Sequence, residues 1–128
     1  GLKIKFPIKH DHRVETYGFK LTYNNYSISY IVDTKFFAEL INAYQSDIII
    51  LNLLKLEPSE VDHLSVPDCE EIILGIKPKV ALITHFGMTL IREGPWNIAK
   101  KLKEKTGITV IAAEDGKHYE IEKLLAYG

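Results

Sequence analysis

The chain has 128 residues, an apolar fraction of 46% and a formal net charge of −1. This length supports one domain with a hydrophobic core, and the near-neutral charge excludes a broad basic field for non-specific nucleic-acid binding. The single Cys69 excludes an internal disulfide and is typical of a reducing compartment. The apolar runs are too short to span a membrane. We therefore expect a soluble cytoplasmic protein without membrane association.

The first quarter of the chain predicts three strands. Residues 2–8 alternate apolar side chains with lysines, which is typical of an edge strand. Residues 16–23 and 26–32 flank Asn24-Asn25. Because Asn tolerates the left-handed backbone of a tight turn, these two runs predict a hairpin.

The middle of the chain alternates helix and strand signals. Residues 36–44 predict a helix that Thr34 would cap. Residues 48–53 are continuously apolar and rich in Ile, as expected of a strand buried on both faces. A loop around Pro58 follows, and Ser65 then caps a second helix that ends near Ile76.

The last third continues this alternation. The pattern predicts strands at 80–84, 109–112 and 117–121, a loop at 88–96, and a helix that begins at Pro95 and ends near Gly107. A hairpin followed by such β-α-β units indicates the α/β class. We expect a mixed sheet with helices on one face.

Three polar residues stand at strand ends where a metal site is expected. Asp33 and His85 each follow a strongly apolar run, and His12 precedes the run at 16–23. In a sheet covered by helices, ligands collect beyond the carboxyl ends of the strands. Aspartate oxygen and histidine nitrogen are common ligands of divalent metals. The three residues are therefore candidate metal ligands.

Structural roles are alternatives for each of these residues. Asp33 could cap the helix that follows it, and His85 could pack against Phe86. Of the other histidines, His10 could share the loop of His12, and His118 is expected on the surface of a strand.

Four segments in order resemble the C-terminal half of a metallo-β-lactamase-fold hydrolase, in the branch of tRNA 3′-processing endonucleases and phosphodiesterases. They are residues 11–19 (DHRVETYGF), 32–34 (VDT), 63–65 (HLS) and 77–87 (KPKVALITHFG). The resemblance implies half of an αββα sandwich. It also implies that His12 binds one metal, Asp33 bridges two metals and His85 binds the second. His63 would be a non-ligand residue that stabilises the transition state or protonates the leaving group.

The family signature His-x-His-x-Asp-His does not occur in this sequence. The resemblance therefore implies that residues 1–128 form one domain from which the N-terminal half is absent, either as a fragment of a longer hydrolase or as a free-standing half-domain. The metal site would be incomplete, with zinc as the expected ion and manganese or iron as alternatives. We expect little activity from the isolated chain. Residues 51–53 also lack the His-Glu-Ala-Thr-type segment of the tRNA-processing branch. The sequence therefore does not distinguish a phosphodiester, a thioester and a lactam-like amide as the substrate.

Half of a sandwich leaves one apolar sheet face uncovered, which costs about 25 cal/mol per Å² of apolar surface. We therefore expect the missing N-terminal half or a second copy of the chain to pack on that face. The resemblance further implies nucleic acid or a small phosphodiester as substrate. The alternative function is a non-enzymatic interaction or oligomerisation domain, in which His12, Asp33 and His85 are remnants or caps.

Overall fold

The computed structural model describes residues 1–57 and 63–127. Within these residues the strands are β1 (Lys3–Lys5), β2 (Phe19–Tyr23), β3 (Tyr26–Ile31), β4 (Ile48–Lys55), β5 (Leu64–Ser65), β6 (Val80–Thr84) and β7 (Thr109–Ala112). The helices are α1 (Glu39–Ala43), α2 (Val66–Ile76), α3 (Met88–Glu93), α4 (Pro95–Thr106) and α5 (Ile121–Leu125). None of the helices in this part of the chain is both long and apolar enough to cross a membrane.

The strands form one mixed sheet in the order β1-β2-β3-β4-β6-β7, and β5 pairs with the end of β4. The first three strands are antiparallel. Asn24 has a φ of 53° in the turn between β2 and β3, which confirms the predicted hairpin. From β3 onward the neighbouring strands are parallel. The carboxyl ends of β3, β4 and β6 therefore meet at one edge of the sheet.

The sheet has a hydrophobic core on each face. Successive residues of a strand face opposite sides of the sheet, so each parallel strand contributes side chains to both cores. Ile49 and Leu51 of β4 pack with buried residues of α2 and α4. Ile48, on the other face, packs with Val80 and with Leu124 of α5. The predicted α/β class with a mixed sheet is thus confirmed, and α1 to α4 lie on one face. The short α5 covers part of the opposite face.

Three local predictions were wrong. The first helix begins at Glu39 rather than at residue 36, and Thr34 does not cap it. The buried Thr34 hydroxyl instead accepts the Asp11 N–H at 3.0 Å and donates to the Lys35 carbonyl at 2.7 Å. Residues 88–96 contain α3, whose Leu90 is buried in the core.

The third error concerns residues 117–121, which do not form a strand. Residues 117–120 have no regular structure, and α5 begins at Ile121. His118 is exposed, as predicted, but it does not lie in a strand. Pro58, in the predicted loop before α2, lies outside the described residues.

Candidate metal centre

Asp33 lies directly beyond β3, and its Oδ1 atom is the point where side chains from other strand ends meet. Asn52 of β4 donates to this oxygen at 3.4 Å. The Nδ1 atom of His63 lies 3.4 Å from it, and the Nε2 atom of His85 lies 4.0 Å from it. Asp33 therefore does not cap a helix; its carboxylate faces two imidazoles.

His63 owes its position to a short strand and a helix cap. It immediately precedes β5, which runs parallel to the end of β4. Ser65 then begins α2 with a capping box: its hydroxyl accepts the Asp68 N–H, and the Asp68 carboxylate accepts the Ser65 N–H. This confirms the predicted cap. Because β5 and the cap leave the backbone little freedom, His63 is directed to the carboxyl edge of the sheet.

His85 occupies an unusual backbone conformation immediately after β6. Its φ is 61°, in the left-handed region that residues other than Gly rarely adopt. Such strain costs on the order of 1–3 kcal/mol and concentrates at functional sites. Nearby, a Cβ at Gly87 would lie 2.5 Å from the Leu54 carbonyl oxygen, so the turn after β6 passes directly against β4. The turn fixes His85 beside Asp33.

His12 lies in a loop that is fastened to the segment after β3. The Asp11 carbonyl accepts the Lys35 N–H at 2.9 Å, beside the bond from the Asp11 N–H to Thr34. The His12 ring meets the His63 ring edge-on, with 5.4 Å between centroids. These contacts bring the loop to the same edge of the sheet as Asp33.

His12, Asp33 and His63 each offer one donor atom, and these atoms lie within 4.8 Å of one another. Two imidazole nitrogens and a carboxylate oxygen suit zinc, manganese or iron, so the residues present fit a divalent cation. His85 adjoins the group through Asp33. The four residues predicted from sequence are therefore brought together, and their individual roles stay predictions. His63, predicted as a non-ligand, has the geometry of a third donor.

Sequence reasoning missed the role of His10, which is buried behind the centre. The Gly18 N–H donates to its Nε2 at 3.1 Å, and the Tyr44 hydroxyl lies 2.7 Å from the same atom. Its Nδ1 lies 3.3 Å from the Asp33 carbonyl oxygen. These partners require a proton on Nδ1 and none on Nε2. Burial lowers the pKa of His10, which favours this neutral ring.

Asn52 is the second residue that the sequence did not single out. It is buried, and its amide oxygen accepts the Tyr30 hydroxyl at 3.0 Å while its amide nitrogen donates to Asp33. The signal was present, since a polar residue interrupts the otherwise apolar run of β4. Asn52 orients the carboxylate at the centre.

Comparison with known proteins identifies the fold. No protein-family model matches the sequence, and no curated protein matches it either. Among solved structures, the chain is similar to the metallo-β-lactamase-fold protein YhfI from Bacillus subtilis, with 20% identity, a TM-score of 0.76 and coverage of 91% of this chain and 47% of that one.

Two further structures have the same fold. A diphosphatase of the PhnP family is 20% identical, with a TM-score of 0.63, over 87% of this chain and 40% of that chain. The short form of human tRNase Z is 16% identical, with a TM-score of 0.64, over 94% and 42%. The chain thus spans about half the length of these structures. Its sheet and helices have the metallo-β-lactamase fold, of which these residues match one half.

Proposed function

We propose that this chain carries part of the active site of a metal-dependent hydrolase acting on a phosphodiester or related ester. His12, Asp33 and His85 are the proposed metal ligands. The supporting observation is that the donor atoms of His12, Asp33 and His63 lie within 4.8 Å of one another, and that His85 Nε2 lies 4.0 Å from Asp33 Oδ1. The similar structures include a diphosphatase and a tRNase Z, which favours a phosphate ester as substrate.

A divalent ion at these donors, with zinc the first candidate, would make water more acidic and neutralise charge that develops at the ester. The chain's own residues then have distinct tasks. The Asp33 carboxylate, held by Asn52, presents one oxygen toward the imidazoles. His12, from the loop before β2, and His85, from the turn after β6, would bind the ion beside this oxygen. Residues outside this half would have to complete the ligand set, because three ligands shared between two ions bind weakly.

His63 is proposed as the proton donor to the departing oxygen. Its Nδ1 lies 3.4 Å from Asp33 Oδ1, so an Nδ1–H fixes the ring orientation. The side chain keeps 20% of its surface exposed, so substrate and solvent can reach it. General acid catalysis of this type typically contributes on the order of 10²–10⁴-fold to the rate.

A second α/β layer is the proposed partner of the open sheet face. Leu2, Ile4 and Phe6 are 58%, 58% and 64% exposed. Ile4 pairs with Leu21, in the strand row that continues through Ile28 and Ile48 on the α5 side of the sheet. In the proposed arrangement this apolar surface is covered by the half that the chain does not match in the similar structures. In the isolated chain, a second copy of the chain packs on this face instead of the second layer.

Metal binding tests the proposed function. Zinc, manganese and iron would be titrated into the protein by calorimetry, with His118→Ala as a control because His118 is exposed and distant from Asp33 in sequence. We expect stoichiometric binding that is lost in Asp33→Ala and His85→Ala and retained in His118→Ala. Metal-free protein whose stability is unchanged by all three substitutions would instead support an interaction domain.

The role of His63 is tested by the same titration. A proton donor does not coordinate the ion, and the Gln amide can still donate to Asp33, so His63→Gln is expected to bind metal nearly as well as the wild type, whereas His12→Gln binds it far more weakly. Equal losses in both variants would make His63 a ligand and refute its proposed role.

A further inference from the structure

We infer that the recess beside His85 is a subsite for a planar heteroaromatic group on the ester substrate, with Trp96 as its stacking wall. The inference rests on the proposed function, since it names the kind of ester that the same site accepts. It gives Trp96 a role in specificity.

The recess adjoins the candidate centre at His85, which lines the recess and whose Nε2 lies 4.0 Å from Asp33 Oδ1. It has a volume of about 600 Å³ and lies between the end of β6 and the segment after β7. Its walls are partly apolar and partly acidic, and they include His85, Phe86, Ile91, Trp96, Glu114 and Asp115. A group bound here would therefore be attached to an ester located at Asp33 and His85.

Trp96 is held at the rim of this recess by a rigid element. It is the second residue of α4, after Pro95, and α4 is anchored in the core by Ile98, Ala99 and Leu102. Yet the Trp96 side chain is 72% exposed. In the described part of the chain no aromatic ring packs against it. An indole presented this way offers a free face for stacking, which contributes roughly 1–3 kcal/mol per base in single-strand binding proteins.

The polar groups nearby define the rest of the ligand. Glu114 and Asp115 are hydrogen-bond acceptors, which match the N–H groups of a heterocycle such as a nucleobase. The occupant that fits this lining is a nucleotide unit, in which a flat base in the recess is linked to the ester phosphate at Asp33 and His85.

Trp96 is the single tryptophan of the chain, so its fluorescence reports the subsite directly. Adenosine 5′-monophosphate would be titrated into the metal-free protein, with ribose 5-phosphate as the matched ligand that lacks the base. We expect saturable quenching by the nucleotide and none by the sugar phosphate. Equal responses to both ligands would overturn the inference.

Calorimetry with the same nucleotide measures how much stacking on Trp96 contributes to the binding affinity. Trp96→Ala is expected to weaken binding by about tenfold or more. Tyr23→Ala, which removes another exposed aromatic side chain, is expected to leave it unchanged. Unchanged binding in Trp96→Ala would refute the stacking role. Because neither measurement needs metal, a protein that binds the nucleotide but no metal would refute the proposed hydrolase while the subsite stands.

Discussion

His10 and its three partners connect the His12 loop, the end of β3 and the segment after α1. Its ring nitrogens contact Gly18, Tyr44 and the Asp33 carbonyl, and the imidazole is almost fully buried. There is no space beside it: a Cβ at Gly18 would overlap the Tyr44 hydroxyl and the Tyr30 carbonyl oxygen. Burial also raises the pKa of Tyr44 to about 12, so its hydroxyl keeps its proton.

His10→Ala should therefore destabilise the fold. The substitution leaves the buried Gly18 N–H without its acceptor and opens a cavity, which together cost about 2 kcal/mol or more. Urea unfolding measures this change, with His118→Ala expected within about 0.5 kcal/mol of the wild type because that side chain is exposed. Equal stability of the two variants would show that the His10 hydrogen bonds contribute nothing.

Asn52→Ala should weaken metal binding without removing a proposed ligand. Asn52 links the Tyr30 hydroxyl to the Asp33 carboxylate, and loss of such a partner typically lowers metal affinity about 10–100-fold. Calorimetric titration with zinc measures the affinity, and circular dichroism verifies that the variant is folded. Asn42→Ala, at an exposed position of α1, is the control. An Asn52→Ala affinity equal to that of the control would contradict the positioning role.

At the scale of elements, the segment from His63 to α2 joins the candidate centre to the core. Ser65 belongs to both β5 and the helix cap, and it is completely buried. Four residues later Cys69 packs in the core, where burial raises the pKa of its thiol. A loose start of α2 would therefore displace His63 as well as weaken the helix.

Ser65→Ala should cost about 1 kcal/mol of stability, because it removes the acceptor for the Asp68 N–H at the start of α2. Thermal or urea unfolding provides the measurement. Thr89→Ala, at an exposed position of α3, is expected to change stability far less. If both variants unfold alike, the capping box has no measurable effect on stability.

A comparison of predicted and observed bounds shows which helices and strands can be predicted from local sequence patterns. Helices α2 and α4 and strands β6 and β7 have the predicted bounds, because caps, prolines and β-branched runs act over a few residues. Helices α3 and α5 are short and were not predicted. Each is held by one buried leucine, Leu90 or Leu124, and such a contact depends on where the rest of the sheet lies.

At the scale of the whole molecule, the two faces of the sheet differ at its β1 edge. Lys3 and Lys5 lie on the side that carries α1 to α4, whereas Ile4 lies on the side of α5. The helix α5 packs near Ile48, Val80 and Leu82, so it does not extend over Ile4, which is more than half exposed. This apolar edge is where the proposed second layer would pack.

Analytical sedimentation tests whether the exposed apolar edge mediates self-association of the chain. We expect the wild-type chain to self-associate and Ile4→Lys to shift it toward the monomer, because a lysine there places a charge in an apolar interface. Thr22→Lys adds the same charge to the opposite face of β2 and is expected to leave association unchanged. A wild-type chain that is strictly monomeric in dilute solution would rule out the open face as an interface between copies.

Sequence patterns were sufficient to predict the α/β class, the alternation of strands and helices, and the positions of Asp33 and His85 at strand ends. These features follow from periodicity and from residues close together in the chain. The resemblance predicted His63 at this site, but only the folded structure shows that it has the geometry of a third donor beside His12 and Asp33. Only the folded structure shows that His10 and Asn52 support the centre and that Trp96 borders the recess beside His85. Such contacts join residues up to tens of positions apart, so they exist only once the sheet order brings the strand ends together.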